Sequence, residues 1–237
     1  MTALEPLLTL QERDLALDRL RHRRDTLPER AALAVAEARV AELSTRADAL
    51  RAARDEVARE EQRLDDEVQT LRAQAEAAER KLYSGEITSP RELQALQADV
   101  DQLRRHQRTI EDRQLGAMER REPLDGELAA VEQEIEATAA DAARLRAALT
   151  EQEAEIDSDV AVERAARDDV AANVDDGLLG DYERTRAKAN GVGAARLVGN
   201  TCQGCHLTIP ATEVDRIKHG AGGPVTHCDN CGCILVP

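Results

Sequence analysis

Large aromatic side chains are almost missing from this sequence, which contains no Phe, no Trp and only two Tyr among 237 residues. A globular core of ordinary thickness depends on such side chains, so their scarcity argues against one. The apolar residues are mainly Ala, Leu and Val, and 33% of all residues are charged. This composition is typical of long helices that meet along a thin apolar seam.

Signals for export and for membranes are missing as well. The N-terminus has neither the basic segment nor the long apolar run of a secretory leader, and no stretch approaches the roughly 20 apolar residues that span a bilayer. All five cysteines lie in the last 36 residues, and in a cytosolic protein such a cluster indicates metal binding before disulfides. We therefore expect a cytoplasmic protein that does not associate with membranes.

Acidic residues outnumber basic ones, 47 to 32, and the net charge is −15. From Asn190 onward the charges balance, with three basic and three acidic side chains: Arg196, Arg216, Lys218, Glu213, Asp215 and Asp229. The acidic excess therefore lies in the preceding part of the chain, and nucleic acid is not an obvious partner of the whole molecule. Basic runs at 19–24 and 104–108 lack the interleaved aromatic residues that stack bases, so we interpret them as solvated helix faces.

Apolar residues recur every seven positions along most of the chain, which is the period of a coiled coil. In a first arm the repeat comprises Leu43, Leu50, Val57, Leu64 and Leu71. In a second arm it comprises Leu96, Leu103, Ile110, Ala117, Leu124, Val131 and Leu145. Pro28 predicts a helix break near the start of the first arm. Polar residues (Gln107, Gln114 and Arg121) interrupt a companion repeat in the second arm and predict a bend or a loosened stretch there.

The arms are separated by a segment that predicts a turn, residues 84–90, with Pro90 in the first position of the next helix. Because the two arms match in length, we predict a mainly α fold: a long antiparallel two-helix coiled-coil hairpin over residues 1–172, with the turn at about 84–90. A single long helix that dimerises is the main alternative, and the oligomeric state stays open. Residues 173–237 are predicted to form a linker helix and a small four-cysteine zinc ribbon.

Two cysteine pairs carry the strongest chemical signal. They read Cys202-Gln-Gly-Cys205 and Cys228-Asp-Asn-Cys231, with 22 residues between them. Each CxxC pair can direct two thiolates from a tight turn at one ion, and two such knuckles complete the tetrahedral site of structural zinc. We therefore predict one structural Zn²⁺ bound by these four cysteines. A module this short and this poor in large apolar residues also needs a metal in order to fold.

The fifth cysteine, Cys233, has two interpretations. It competes as a ligand, or it packs as a small apolar residue in the strand that follows. The second is preferred because a CxxC pair makes the better knuckle. With four cysteines available, the nearby histidines (His206, His219 and His227) are not expected to bind metal.

Signals for catalysis are missing. The sequence has no Gly-rich phosphate loop, no nucleophile elbow and no Ser/His/Asp arrangement, and four thiolates leave no open position for a catalytic metal. A redox CxxC would normally occur in a βαβ context, which the sequence does not predict. We therefore expect no enzymatic activity.

Three segments resemble a known bacterial family, the zinc-ribbon proteins of the four-cysteine type with an N-terminal coiled-coil hairpin. KLYSGEITSPRELQAL, from Lys81 to Leu96, resembles the family's hairpin tip, while LVGNTCQGCHLTIP and CDNCG resemble its two knuckles. The resemblance covers essentially the whole chain and implies zinc on the same four cysteines. The family usually has a basic residue after the last Cys-Gly, where this chain has Cys233.

Some members of this family act as adaptors for an alternative sigma factor or for flagellar or type III secretion components, and one type is linked to messenger RNA. Because these roles vary, the resemblance implies no particular partner. We expect a non-enzymatic zinc-binding adaptor or scaffold that mediates protein–protein interaction, in transcription regulation or secretion. Its predicted contact residues are Leu82, Tyr83 and Ile87 at the tip, since exposed apolar clusters often mark contacts. The alternative function is RNA or DNA binding through the zinc ribbon, by analogy of fold.

Overall fold

The computed structural model describes residues 4–219 and 225–237. The predicted hairpin domain begins at residue 1, so its first three residues lie outside the described range. Within these ranges the chain forms two long helices, three shorter ones and one small sheet. In chain order the elements are α1 (Glu5–Asp25), α2 (Pro28–Tyr83), α3 (Pro90–Ala171), α4 (Asp176–Lys188), β1 (Ala194–Val198), β2 (Thr201–Cys202), α5 (Ala211–Lys218) and β3 (Ile234–Val236).

The elements form two compact units. The first unit, called here the base unit, comprises Met1–Ala31 and Arg146–Pro237, and the second, the arm unit, comprises Ala32–Leu145. The predicted boundary at residues 172 and 173 falls inside the base unit. Among the described residues, no helix combines the length and the hydropathy needed to cross a membrane.

In the arm unit, α2 and α3 form the predicted antiparallel coiled-coil hairpin. Early α2 residues pack against late α3 residues: one cluster joins Leu43 and Ala47 to Leu128 and Val131. A second cluster contains residues nearer the turn, namely Leu64, Val68, Leu71, Ile110 and Ala117. Most of these residues belong to the heptad repeats read from the sequence, so the seam and the chain reversal are both confirmed.

Two of the three polar interruptions of the repeat, Gln114 and Arg121, pair across the hairpin. Gln114 Nε2 donates to Asp65 Oδ1 at 3.0 Å, and Arg121 Nη1 donates to Glu61 Oε2 at 2.5 Å. Helix α3 continues through this stretch and contains Pro123, and the predicted bend or loosened stretch stays a prediction. The acidic residues on α2 give Gln114 and Arg121 the hydrogen-bond partners that apolar residues of the seam could not provide.

The turn lies where it was predicted. Helix α2 ends at Tyr83 and α3 begins at Pro90. Gly85 has a φ of +79°, a left-handed conformation that glycine adopts without steric cost. Ser84 Oγ donates to Lys81 O at 3.0 Å and accepts from the backbone N–H of Glu86 at 3.2 Å, which fixes the exit from α2.

In the base unit, the break at Pro28 is confirmed, because α1 ends at Asp25 and α2 begins at Pro28. Helix α4, which begins at Asp176, lies where the linker helix was predicted. Asp175 is its N-cap and accepts from the N–H groups of Gly177 and Leu178. The Asp175 cap satisfies backbone N–H groups in the first turn of the helix, which explains why α4 starts at Asp176.

The three strands of the base unit form one sheet in the order β2-β1-β3. Strands β1 and β2 are an antiparallel hairpin, while β1 and β3 pair in parallel, with Ala194 opposite Ile234. Because side chains alternate along a strand, this sheet separates two cores. Leu235 of β3 packs with the cysteines, whereas Ile234 and Val236 pack with Leu7 and other residues of α1 and α4.

Candidate metal centre

The two cysteine pairs occupy loops of the same local geometry. In the first, the backbone N–H of His206 donates to the carbonyl of Cys202 at 2.8 Å. In the second, the N–H of Gly232 donates to the carbonyl of Cys228, also at 2.8 Å. The donor lies four residues after the first cysteine in both loops and has a positive φ, +57° for His206 and +77° for Gly232. Such a turn closes each CxxC loop so that both thiols lie on one side of it.

The secondary structure brings the two loops together. Cys202 ends β2, and the N–H of Cys228 donates to the carbonyl of Cys233 at 2.8 Å, directly before β3. Because β2 and β3 both flank β1, the sheet fixes the separation of the loops. Residues far apart in sequence are thereby placed around one point.

The four predicted ligands form a compact group of sulfurs. The Sγ atoms of Cys202, Cys205, Cys228 and Cys231 all lie within 4.8 Å of one another. Sγ of Cys202 lies 4.0 Å from that of Cys231, and Sγ of Cys205 lies 3.9 Å from that of Cys228. Four thiolates at 2.3 Å from a tetrahedral zinc ion are about 3.8 Å apart, so the group fits zinc in number, chemistry and spacing. Their binding of zinc stays a prediction.

Backbone amides of the loops point at the first sulfur of each pair. Burial opposes ionisation of Cys202, but hydrogen bonds from the backbone of Cys205 and Gly204 prevail and lower the pKa of its thiol. At Cys228 burial prevails over the corresponding backbone hydrogen bonds from Cys231 and Asn230 and raises the pKa. The loops thus supply dipoles that stabilise thiolates, which is the form that binds metal.

The fifth thiol lies against this group. Sγ of Cys233 is 3.2 Å from Sγ of Cys231 and 3.6 Å from Sγ of Cys202. Its side chain is fully buried in the core that contains the other cysteines. Burial, followed by hydrogen bonds with the Cys231 and Cys202 thiols, raises the pKa of Cys233 far above its ordinary value. The preferred interpretation of Cys233 as a small buried residue describes its packing, but the sequence did not indicate that it touches two predicted ligands.

The three histidines near the cysteines have other neighbours. His227 Nε2 lies 3.4 Å from Asp181 Oδ2 on α4 and 3.5 Å from Thr185 Oγ1. His219 Nδ1 lies 2.9 Å from the carbonyl of Asp215 in α5. His206 provides the positive-φ position of the first loop. Each therefore has a contact or a backbone role outside the group of sulfurs.

The predicted contact residues of the tip lie in the arm unit. Tyr83 is 81% exposed, the largest exposed fraction among the exposed large apolar side chains of the described residues. Leu82 and Ile87 are half-buried. The structure therefore places one strongly exposed and two partly exposed apolar side chains around the turn.

A buried polar cluster of the base unit was missed by sequence reasoning. Asp14 is 2% exposed and Gln11 is 5% exposed, although both are polar. Gln11 Oε1 accepts from the N–H of Gly193 at 2.6 Å and Asp14 Oδ2 accepts from Tyr182 Oη at 2.7 Å. Arg167 Nε donates to the other oxygen of Asp14 at 2.9 Å. This cluster attaches α1 to α4 and to the residue before β1.

A signal for this cluster was present in the sequence. Gln11 and Asp14 lie between the buried apolar residues Leu10 and Leu17 of α1, on the face that the apolar spacing predicts to be buried. Polar residues on such a face need partners. Tyr182, one of only two tyrosines, was available as a donor.

Two protein-family models match this chain. The model of the family described as CT398-like coiled coil hairpin domain matches residues 10–190. The chain belongs to this family. A second model, the C4-type zinc ribbon domain, matches residues 201–235, a range that contains all five cysteines. The resemblance read from the sequence is therefore confirmed.

Relatives of this CT398-like protein include the uncharacterized protein Rv2229c of Mycobacterium tuberculosis. The two are 35% identical over 230 residues, which cover 97% of this chain and 93% of the relative. A solved structure from Mycobacterium smegmatis matches with a TM-score of 0.85 and 27% identity, over 99% of this chain and 97% of that one. The structure of CT398 from Chlamydia trachomatis matches with a TM-score of 0.71 and 17% identity, over 98% and 96%, and shows the shared fold.

The combination of a coiled-coil hairpin and a zinc ribbon fits a structural or interaction protein. Neither matching family model is that of an enzyme.

Proposed function

We propose that this protein is a non-enzymatic adaptor in the cytoplasm, whose four-cysteine site binds one structural Zn²⁺ and whose hairpin tip contacts a partner protein. The observation that carries the metal part is the group of four sulfurs within 4.8 Å of one another. The contact part is supported by the exposed Tyr83 at the turn. All five cysteines are free thiols, the state that a reducing cytoplasm maintains.

Zinc would stabilise the ribbon and would not provide a reaction centre. Four thiolates fill a tetrahedral coordination sphere, whereas catalytic zinc keeps an open position. The core around the cysteines is made of small and aliphatic residues, and such modules gain on the order of 10–16 kcal/mol of apparent binding free energy from structural zinc. The metal therefore contributes to folding of the sheet.

The metal part is tested by measuring the zinc content of the purified full-length chain and of a Cys228→Ser variant. We expect one zinc ion per wild-type chain and weaker binding by the variant. A wild-type protein that retains no zinc after exposure to Zn²⁺ and gel filtration would overturn this part of the proposal.

The tip is suited to contact because its apolar side chains lie at a chain reversal. There α2 ends and α3 begins, and Tyr83 is 81% exposed, whereas Leu64 of the seam is 5% exposed. Tyr83 offers a large apolar surface with a polar hydroxyl, a combination enriched at protein interfaces. Its partner would therefore offer an apolar pocket with a hydrogen-bonding group at its edge.

A crosslinking experiment tests the tip directly. A photoactivatable phenylalanine analogue at position 83 is expected to crosslink a defined protein in the native cell, and a Tyr83→Ala, Ile87→Ala variant is expected to lose that protein in affinity purification. The matched control is Leu115→Ala, Met118→Ala, because those side chains are exposed in the same unit (56% and 45%) but lie within α3. If both variants retain the same proteins as the wild type, the tip is not the contact site.

Nucleic-acid binding through the ribbon has weaker support. Arg196 forms an ion pair with Glu5, and Arg216 forms one with Glu213, so phosphate would have to displace carboxylates at both arginines. The cell extract used for affinity purification, without crosslinking, is therefore divided, and one half is treated with RNase before purification. The alternative function would be favoured if the partner is recovered only without RNase and if the protein binds RNA with an affinity that falls steeply with salt.

A further inference from the structure

The ribbon contains five sulfurs where a tetrahedral site uses four. Three of them form a triangle: the Sγ distances are 4.0 Å for Cys202–Cys231, 3.6 Å for Cys202–Cys233 and 3.2 Å for Cys231–Cys233. Cys233 is thus in contact with two members of the four-cysteine group and is oriented toward them. A cysteine that served only to fill the core would have no need to place its sulfur there.

We propose that Cys233 is a reserve zinc ligand that takes the place of Cys231 when the Cys231 thiolate is lost. This inference rests on the proposed zinc site. In the exchange the Cys233 thiol releases its proton to solvent, its thiolate binds the ion, and Cys231 leaves the coordination sphere. Once the Cys233 thiolate has bound, the ion again has four thiolate ligands and the same net charge as before.

The spacing of the sulfurs supports the exchange. Neighbouring thiolates on a tetrahedral zinc ion are about 3.8 Å apart, and Cys233 already lies 3.6 Å from Cys202. Cys233 is not part of the group whose sulfurs are all within 4.8 Å of one another, so its sulfur must move toward the group's centre. The space that Cys231 leaves, 3.2 Å away, is in that direction.

Burial and contact together identify Cys231 as the ligand that is replaced, since Cys205 is also partly exposed but has no described sulfur contact with Cys233. Cys231 is partly exposed, so alkylating or oxidising agents in solvent reach it, whereas Cys233 is fully buried beneath it. The residue between them, Gly232, has a φ of +77° and no atom within 4 Å of the position of a Cβ. That freedom allows the backbone between the two sulfurs to adjust.

The first loop makes room for the buried sulfur. A Cβ at Gly204 would lie 3.2 Å from Sγ of Cys233 and 3.1 Å from Cβ of Ala195. Glycine at this position therefore lets Cys233 lie directly against the CxxC loop. Cys228 has no such neighbour to replace it. Its Sγ lies 3.9 Å from Sγ of Cys205, itself a predicted ligand, and no described contact joins it to Sγ of Cys233.

Metal binding by serine variants of the full-length chain tests the proposal. The set comprises the wild type, C231S, C233S, the double variant C231S/C233S and, as a matched control for the loss of one ligand, C228S. Each is loaded with Zn²⁺ to measure stoichiometry and affinity, and separately with Co²⁺, whose thiolate charge-transfer band strengthens with each bound thiolate.

We expect C231S and C233S to retain one metal ion per chain with the wild-type, four-thiolate band. C228S and C231S/C233S should show the weaker three-thiolate band and bind Zn²⁺ at least about tenfold less tightly than C231S, which is at the lower end of effects on metal sites. If C231S matches the double variant in both band strength and affinity, whether because it misfolds or because Cys233 does not bind, the proposal is wrong. A wild type that binds neither ion would overturn the metal site itself, which is a distinguishable result.

Discussion

Removing the carboxylate of Asp14 is expected to loosen the base unit. Its two oxygens accept from Tyr182 Oη at 2.7 Å and from Arg167 Nε at 2.9 Å, and Arg186 Nε lies 3.6 Å away. The Asp14→Ala variant would therefore lose two hydrogen bonds that involve a charge, each contributing about 1.5–3 kcal/mol.

The other partners of the two arginines limit this loss. Arg167 also forms an ion pair with Glu183, and Arg186 forms one with Asp18 at 2.6 Å. Neither arginine becomes an unpaired charge when Asp14 is removed, so the expected cost is at the lower end of the range for breaking a buried pair, about 3 kcal/mol. Tyr182→Phe removes one donor and leaves the Asp14–Arg167 pair, for which we expect about 1–2 kcal/mol.

Hydrogen exchange measures this effect locally, because the two units need not unfold together. We expect Asp14→Ala to reduce the protection of backbone amides in β1 and α4 by about 100-fold, the equivalent of 3 kcal/mol, while the amides of Ala32–Leu145 keep their protection. Asp159→Ala is the control, since Asp159 is exposed on α3 in the same unit. Equal effects of the two variants would refute the assignment of Asp14 as the centre of the cluster.

Three further predictions concern metal, pH and the hairpin seam. Chelation of zinc should unfold the sheet while most helical circular dichroism remains, because the coiled-coil seam does not include the cysteines; a complete loss of helix would contradict this. Burial, followed by the hydrogen bond to Asp14, raises the pKa of Tyr182. The free energy of unfolding is therefore independent of this group below its ordinary pKa of about 10 and falls as the pH rises above that value. In unfolding measured as a function of pH, Tyr182→Phe should flatten that decline. Glu61 and Arg121 form an ion pair in the hairpin, and the Glu61 side chain is only 18% exposed. Replacing both residues by Leu should leave the thermal stability of the hairpin unchanged or raise it, whereas Glu61→Ala alone should lower it. A double variant less stable than Glu61→Ala would contradict this expectation.

Elements with a strong period or a strong breaker were predicted closely. The heptad residues Leu43 and Leu64 lie in the hairpin seam, and α2 and α3 start at Pro28 and Pro90. These features depend on local chemistry, because proline fixes φ and a seven-residue repeat specifies one face of a helix. The spacing of the CxxC pairs was likewise enough to predict that four cysteines would meet.

What the sequence could not supply depends on contacts between distant residues. The pairing of Arg121 with Glu61 gives a polar residue of α3 an acidic partner on α2, and the spacing within α3 does not indicate that partner. The Asp14–Tyr182 contact joins residues 168 positions apart, and nothing in either local sequence indicates the other. The contact of Cys233 with two predicted ligands depends on the parallel pairing of β1 with β3, which no local pattern specifies.

The packing of α1 against β3 has a consequence during protein synthesis. Leu7 and Leu10 of α1 find their packing partners on β3, at Ile234 and Val236, which a ribosome makes more than 220 residues later. At translation speeds of about 5–20 residues per second, this delay is roughly 10–45 s. The arms can already associate in that interval, while the part of the α1 face that β3 later covers stays exposed to solvent.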